Sequence, residues 1–356
     1  MCRSLAADGH EVHIIAEMEK TLDKTIVDGV HLHRAEPFDS RIKRMLRKTP
    51  SVLAMARTIE ADVYHFHDPE FLIYIGKFGK IVKKPVVYDV HEDYAAAILS
   101  KYWLYKPIRS LVSRMFSYIE KKKVKKIFGL VVAWPKLLEK YVGHPRVALI
   151  NNFPYQNELS CSSGQKNERI NGKFIYVGGL TRIRSIMEMI RAIALAGKSY
   201  QLVLGGPWGS EQYKDECMSE PGWSQCKYLG YMSRAEMSAQ FSTVQAGLVL
   251  FYPEPNHMYS VPNKIFEYMS AGLPVIASDL PMQRSIIEET DCGVIADARS
   301  PEDICVKMQW IAGHPAEATS LGEKGILYIQ KKYNWELEYN KLLDFYIQIV
   351  QTYEQL

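Results

Sequence analysis

Long apolar runs are missing from this sequence: nothing in its 356 residues approaches the roughly 20 consecutive apolar positions that span a bilayer. Cysteine is sparse. The six residues (Cys2, Cys161, Cys217, Cys226, Cys292 and Cys305) include no CxxC pair, which argues against a zinc site or a disulfide framework and fits a reducing cytoplasm. The stretch MCRSLAADGHEVHII has none of the charged, apolar and small-residue regions of a signal peptide. A strong charge of one sign is also missing. The net charge of +4 does not by itself imply nucleic acid, and no nucleic-acid-binding module accompanies it. What is present, 47% hydrophobic and 24% charged residues, is the composition of a globular chain long enough for two domains.

The charge is unevenly spread. Residues 101–126 hold nine Lys or Arg against one acid, Glu120. Trp103, Leu104, Ile108, Leu111, Val112, Met115, Phe116 and Ile119 interleave at spacings of three and four, the pattern of a basic amphipathic helix. Three readings fit: a solvated helix with one core face, a helix lying on anionic lipid head groups, and a nucleic-acid contact, the last without any recognisable module beside it.

Short β-branched-rich runs alternate with helical patterns from end to end. In the first half they fall at 11–17, 30–36, 62–68, 85–92, 129–134 and 146–152, and in the second at 174–179, 200–206, 226–231, 246–251, 274–278 and 293–297. This alternation predicts two doubly wound α/β domains, each a mostly parallel sheet with helices on both faces and strand ends directed at a ligand cleft. The expected boundaries are 1–154 for the first domain, a polar linker over 155–172, 173–333 for the second, and a helix over 334–356 returning to the first. The second domain opens with a complete strand, glycine turn and helix. The first opens with the tail of a helix, Ser4-Leu5-Ala6-Ala7, ended by Asp8-Gly9, so its first strand and following loop are expected to be missing. A chain without that strand is expected to be poorly soluble or inactive, with recovery on adding about 15–25 residues upstream.

The densest chemistry lies in VPNKIFEYMSAGLPVIASDLP, residues 261–281. Pro262 suits the first turn of a helix and Gly272 its end, which puts Glu267 one to two turns inside. A helix amino terminus offers free N–H groups to a phosphate, and a nearby carboxylate can accept two bonds from a ribose diol. A solvent-facing Glu on an ordinary helix fits equally well. His65, His67 and His91, with Asp68, Glu92 and Asp93, could in principle form a metal site. His65 and His67 sit at strand spacing and Asp68-Pro69 reads as a strand-end turn, so no metal is expected.

Together with HFHDPE (65–70), YDVHEDY (88–94), NNFP (151–154) and YVGGLTRIRS (176–185), this stretch resembles the retaining GT-B glycosyltransferases of family 4 over nearly the whole chain. The resemblance implies that Glu267 binds the ribose of a nucleotide-diphosphate sugar, a co-substrate rather than a cofactor. The motif's first Glu, which helps hold the donor sugar, falls on Tyr259, so either its hydroxyl replaces that contact or the donor is held differently. Ser260 and Val261 keep backbone N–H groups for the phosphate. The family's phosphate-binding Arg and Lys fall on Gly179 and Arg184, with Lys264 as a second cation. Gly178-Gly179 is either a plain tight turn or a close approach of backbone to phosphate, and Arg182 faces either phosphate or solvent. Gly205-Gly206 is expected to turn near the nucleotide, the loop of Tyr231 and Met232 to pack on the base, and His91 to reach the donor sugar.

The implied reaction moves a sugar to an acceptor hydroxyl without an enzymatic nucleophile or a divalent metal. The acceptor is expected to be a cell-surface glycan or a lipid-linked one, and the enzyme to be cytoplasmic, peripheral on the inner membrane face through residues 101–126. A donor-binding scaffold that has lost catalysis and a nucleotide-sugar epimerase are the rival readings, kept open by Tyr259, Gly179 and the missing strand.

Overall fold

The computed structural model describes residues 1–18, 25–36, 47–99, 104–159, 169–254, 257–258 and 261–356. The chain divides into two compact units, residues 1–151 with 339–356, and residues 152–338. Residues 155–159, expected in a polar linker, belong to the second unit. Leu159 is fully buried there, and the Gln156 N–H donates to the Glu336 carboxylate. Residues 160–168 lie outside the described set.

All twelve apolar runs form strands. In the first unit these are β1 (Val12–Glu17), β3 (Val30–Ala35), β4 (Tyr64–Phe66), β5 (Val86–Val90), β6 (Gly129–Val132) and β7 (Val147–Leu149), with a two-residue β2 (Ile26–Val27) that no periodicity announces. In the second they are β8 (Lys173–Val177), β9 (Gln201–Gly205), β10 (Cys226–Tyr228), β11 (Ala246–Val249), β12 (Val275–Ser278) and β13 (Gly293–Ala296).

The second unit is one parallel six-stranded sheet in the order β10-β9-β8-β11-β12-β13. This doubly wound order reverses direction between β8 and β11, where such sheets open a crevice at their carboxyl ends. Alternate side chains serve two cores. Phe174, Tyr176, Leu202, Leu204 and Leu248 pack under the Ile186–Ala196 helix, while Ile175, Val203 and Val249 pack with the Asn263–Ser270 helix. Burial on both faces explains why these strands read as continuous apolar runs.

The first unit carries its strands in two separate sheets, β1-β3-β2 and β4-β5-β6-β7. Among the described residues β1 pairs with β3 alone, and β4 with β5 alone. The Trp335–Glu354 helix packs on this unit, with Ile349 and Phe345 so close to Gly129 that a Cβ there would lie 2.6 Å from Ile349 Cδ1.

The basic helix runs from Lys106 to Val124. Its buried positions are Ser113, Glu120 and Val124, and the Glu120 carboxylate accepts a 2.7 Å ion pair from Lys140. Ile108, Leu111 and Met115, whose spacing left a core face and a lipid-facing one open, are exposed together with Tyr118, Leu111 to 68%. Val124, Phe116 and Glu120 take the core side of the helix, and this apolar stripe faces solvent.

Gly247 on β11 lies under the Tyr268 ring, where a Cβ would come within 2.3 Å of a ring carbon. The Tyr268 hydroxyl in turn accepts a 3.2 Å bond from the Val177 N–H. Gly247→Ala should therefore destabilise the second unit by about 1–3 kcal/mol through overpacking, read as a lower denaturation midpoint.

Candidate functional site

At the carboxyl end of β8 the chain turns through Gly178 and Gly179 and meets the turn after β9. Gly178 N–H donates to Gly205 O at 2.8 Å, and Gly206 N–H to Gly230 O at 2.6 Å. Gly178 and Gly206 have φ of 143° and 121°. A Cβ on Gly206 would lie 2.1 Å from the Gly178 carbonyl oxygen, and one on Gly178 would lie 2.3 Å from Lys264 Cε. Both positions need glycine for conformation, and Gly206, against backbone, needs it for space as well.

Two cations surround this turn. Arg184 Nη1 reaches Tyr176 Oη and Gly179 O at 3.4 Å each, and its guanidinium lies 5.5 Å from the centre of the Phe251 ring. Lys264, in the first turn of the Asn263–Ser270 helix, sits 5.7 Å from the Tyr176 ring centre. Among the described residues neither has a carboxylate within ion-pair distance. Burial, and then Arg184, bring the Lys264 ammonium down to about 8. His257 is lowered by burial and by the same guanidinium. Arg182 points elsewhere, paired with Glu216.

One turn further on, Glu267 Oε1 accepts a 2.5 Å bond from Arg234, which also approaches Glu158 at 3.4 Å. Tyr231 is almost fully exposed, whereas Met232 turns into the core with its Cε over Gly205. Val261 packs partly buried against the same core, and Tyr259 and Ser260 lie outside the described residues.

In the first unit three imidazoles converge on one carboxylate at the ends of β4 and β5. Asp89 Oδ2 lies 3.2 Å from His65 Nε2, 3.3 Å from His67 Nδ1 and 3.6 Å from His91 Nε2. His67 and His91 stack and share a 2.6 Å N···N hydrogen bond, and His65 Nδ1 meets Tyr346 Oη at 2.5 Å. Burial raises the Asp89 carboxyl, but the bonds from His65 and His67 more than offset it and hold the group below the carboxylate range. Burial lowers both His65 and His91, favouring neutral rings near pH 7. The ligand atoms of His65, His67 and Asp89 lie within 4.8 Å of one another, close enough to share one ion.

The family model described as Glycosyltransferase Family 4 matches residues 1–150, and that of Glycosyl transferases group 1 matches residues 171–314. The chain is a family 4 glycosyltransferase of the GT-B fold. Among solved structures it resembles sucrose-phosphate synthase from Thermosynechococcus elongatus at 18% identity and TM-score 0.74, covering 99% of this chain and 91% of that one. A glycosyltransferase from Rickettsia africae matches at 11% identity and TM-score 0.74, over 98% and 93%. HepE of Anabaena, solved with UDP, matches at 14% identity and TM-score 0.67, over 92% and 86%. A search of curated proteins finds no match.

In this glycosyltransferase, Tyr176, Phe251, His257 and Arg234 also border the predicted residues. Tyr176 belongs to the quoted YVGG motif but reads there as a strand residue. No local pattern ties Arg234 to a glutamate 33 positions away.

A bound phosphate favours the protonated form of Lys264, so binding loses free energy once the free lysine is neutral. Affinity for inorganic pyrophosphate should fall as pH rises through about 8, by up to roughly tenfold per unit above it, in calorimetric titrations between pH 7 and 9.5. Lys264→Arg should flatten that slope.

Proposed function

We propose that this glycosyltransferase is a retaining enzyme that moves a sugar from a nucleotide-diphosphate sugar to an acceptor hydroxyl in cell-surface glycan synthesis. The observation that carries the donor assignment is the pair of cations without carboxylate partners, Arg184 and Lys264, at a glycine turn on the sheet's switch point. The helix beginning at Asn263 has no side-chain cap and directs amide groups to the same end. HepE, similar in fold, was solved with UDP-glucose.

As the bond from the sugar to the β-phosphate oxygen breaks, negative charge grows on the leaving diphosphate. Arg184 and Lys264 stabilise it in place, with no reorganisation at the moment of reaction. The acceptor hydroxyl attacks from the face the diphosphate leaves, and a β-phosphate oxygen takes its proton. No protein nucleophile enters. Glu267 accepts from the ribose, Tyr259, Ser260 and Val261 meet the sugar and phosphate, and Tyr231 offers its exposed ring to the base. His91 reaches the donor sugar as a neutral ring, a role that follows from the family resemblance and from its lowered proton affinity.

Glu267→Ala should weaken binding of a nucleoside diphosphate by about 1–3 kcal/mol, since buried hydroxyls lose a charged acceptor. A variant that binds as tightly as the parent in calorimetry would remove Glu267 from the site.

The second element of the proposal is a peripheral location on the cytoplasmic membrane face, where a lipid-linked acceptor is met. Among the described residues no helix is long and apolar enough to cross a membrane. The solvent-facing stripe of Ile108, Leu111, Met115 and Tyr118, continued by Lys122, has the composition of a helix lying in an anionic interface. Lys121, Lys122 and Lys125 changed together to Gln should abolish low-salt sedimentation with phosphatidylglycerol vesicles. Leu111→Ser should weaken it at low and high salt alike. Absence of binding by the parent would return the stripe to an ordinary surface.

A further inference from the structure

Four side chains able to ligate an ion share one face of the β4-β5 pair. His65 and His67 stand two residues apart, as do Asp89 and His91. The register His65↔Val87, Phe66↔Tyr88 continues so that Asp89 lies opposite His67. Strand spacing, which argues against a metal when the sequence is read alone, is what brings these side chains together.

We propose that His65 Nε2, His67 Nδ1, His91 Nε2 and Asp89 Oδ2 form a binding site for a divalent transition metal, zinc in the first place. Three observations carry this. The first is geometry. An ion held tetrahedrally at about 2.0–2.1 Å from each ligand sets those ligands about 3.3–3.4 Å apart. Asp89 Oδ2 already lies 3.2, 3.3 and 3.6 Å from the nitrogens of His65, His67 and His91. The ligand atoms of His65, His67 and Asp89 all fall within 4.8 Å of one another. The short edge is 2.6 Å, between His67 and His91. Widening it by roughly 0.7 Å restores a tetrahedral edge, and both rings are about half exposed and have room to move. The proton now between them passes to an outer nitrogen, and the two lone pairs turn to the ion.

The second is an uncompensated charge. The Asp89 side chain is 3% exposed, and its Oδ1 has no hydrogen-bond partner among the described residues. No Lys or Arg among them lies within ion-pair distance of it; its three neighbours are imidazoles. A carboxylate so deeply buried calls for a partner of opposite charge. Asp68 and Glu92 add negative charge beside His91.

The third is the support behind a ligand. A metal-bound imidazole donates its other N–H to an acceptor that fixes its tautomer and ring plane. His65 Nδ1 lies 2.5 Å from Tyr346 Oη, which leaves Nε2 for the ion.

The donor atoms select the ion. Three imidazoles and one carboxylate suit zinc and its first-row neighbours, whereas magnesium and calcium take oxygen ligands. Four protein ligands fill a tetrahedral shell and leave no open position, so the ion holds the cluster and does no chemistry. While it is bound, His91 is withheld from a donor sugar. That consequence rests on the role of His91 proposed above; the ion site does not.

Calorimetric titration of the metal-free full chain with Zn2+ should reveal one tight site. Co2+ in the same site should give the intense visible bands of tetrahedral coordination. His67→Ala and His91→Ala should each weaken zinc binding by roughly a hundredfold, and Tyr346→Phe, behind His65, by roughly tenfold. Changing His13 and His33, the hydrogen-bonded pair on β1 and β3, to Ala should leave it unaltered. The site is overturned by a parent chain without tight binding, by unchanged affinity in both His67→Ala and His91→Ala, or by loss of binding with His13 and His33. Weak, octahedral cobalt bands overturn the closed four-ligand shell. None of these readings depends on donor binding or sugar transfer.

Discussion

The backbone pairing of β8 is what the second unit depends on. Its ladder to β9 on one side and β11 on the other fixes where the two halves of the sheet part, and the glycine turn after it inherits that position. Because Gly178 donates to Gly205, the turns after β8 and β9 are locked to each other within a hydrogen bond's tolerance. Arg184 and Lys264 are then placed around Gly178 by short connections from rigid elements rather than by loops of their own. In a preorganised site the cost of gathering like charges is met during folding, by hydrophobic burial around Phe174, Tyr176 and Tyr268.

Burial is the main reason Lys264 is depressed, and the like charge of Arg184 adds to it. Like charges in a partly dry setting repel, and the protein relieves them with oriented oxygens and ring faces: Gly179 O, Tyr176 Oη and the Phe251 and Tyr176 rings. None of these is anionic. A carboxylate there would stabilise the empty site more and compete directly with a phosphate. The histidine cluster of the first unit follows the opposite logic, with one buried carboxylate serving three imidazoles.

Local pattern carried much of this structure. Twelve apolar runs became twelve strands because both faces of a parallel sheet are buried, and such strands announce themselves without reference to neighbours. The glycine turns and the helix at Asn263 were legible for the same reason: proline and glycine act within one or two residues. Contacts between distant positions were not. The Arg234–Glu267 pair, the Tyr346–His65 contact and the exposed face of the basic helix all depend on residues brought together by the completed fold. The helix shows the difficulty well. Spacing marked Leu111 and Met115 as apolar neighbours, but the side that meets the core carries Val124, Phe116 and the buried Glu120, which pairs with Lys140.

The Arg234–Glu267 ion pair has a kinetic side. A carboxylate that already holds a guanidinium is a lock with a key in it, and any hydroxyl that takes Oε1 must first turn that key out. Net affinity is then the difference between two good bonds, while discrimination against a ligand lacking the hydroxyl keeps the full value of one. Glu158, 3.4 Å from Arg234 Nε, is a second carboxylate that would hold the guanidinium if Oε1 were taken.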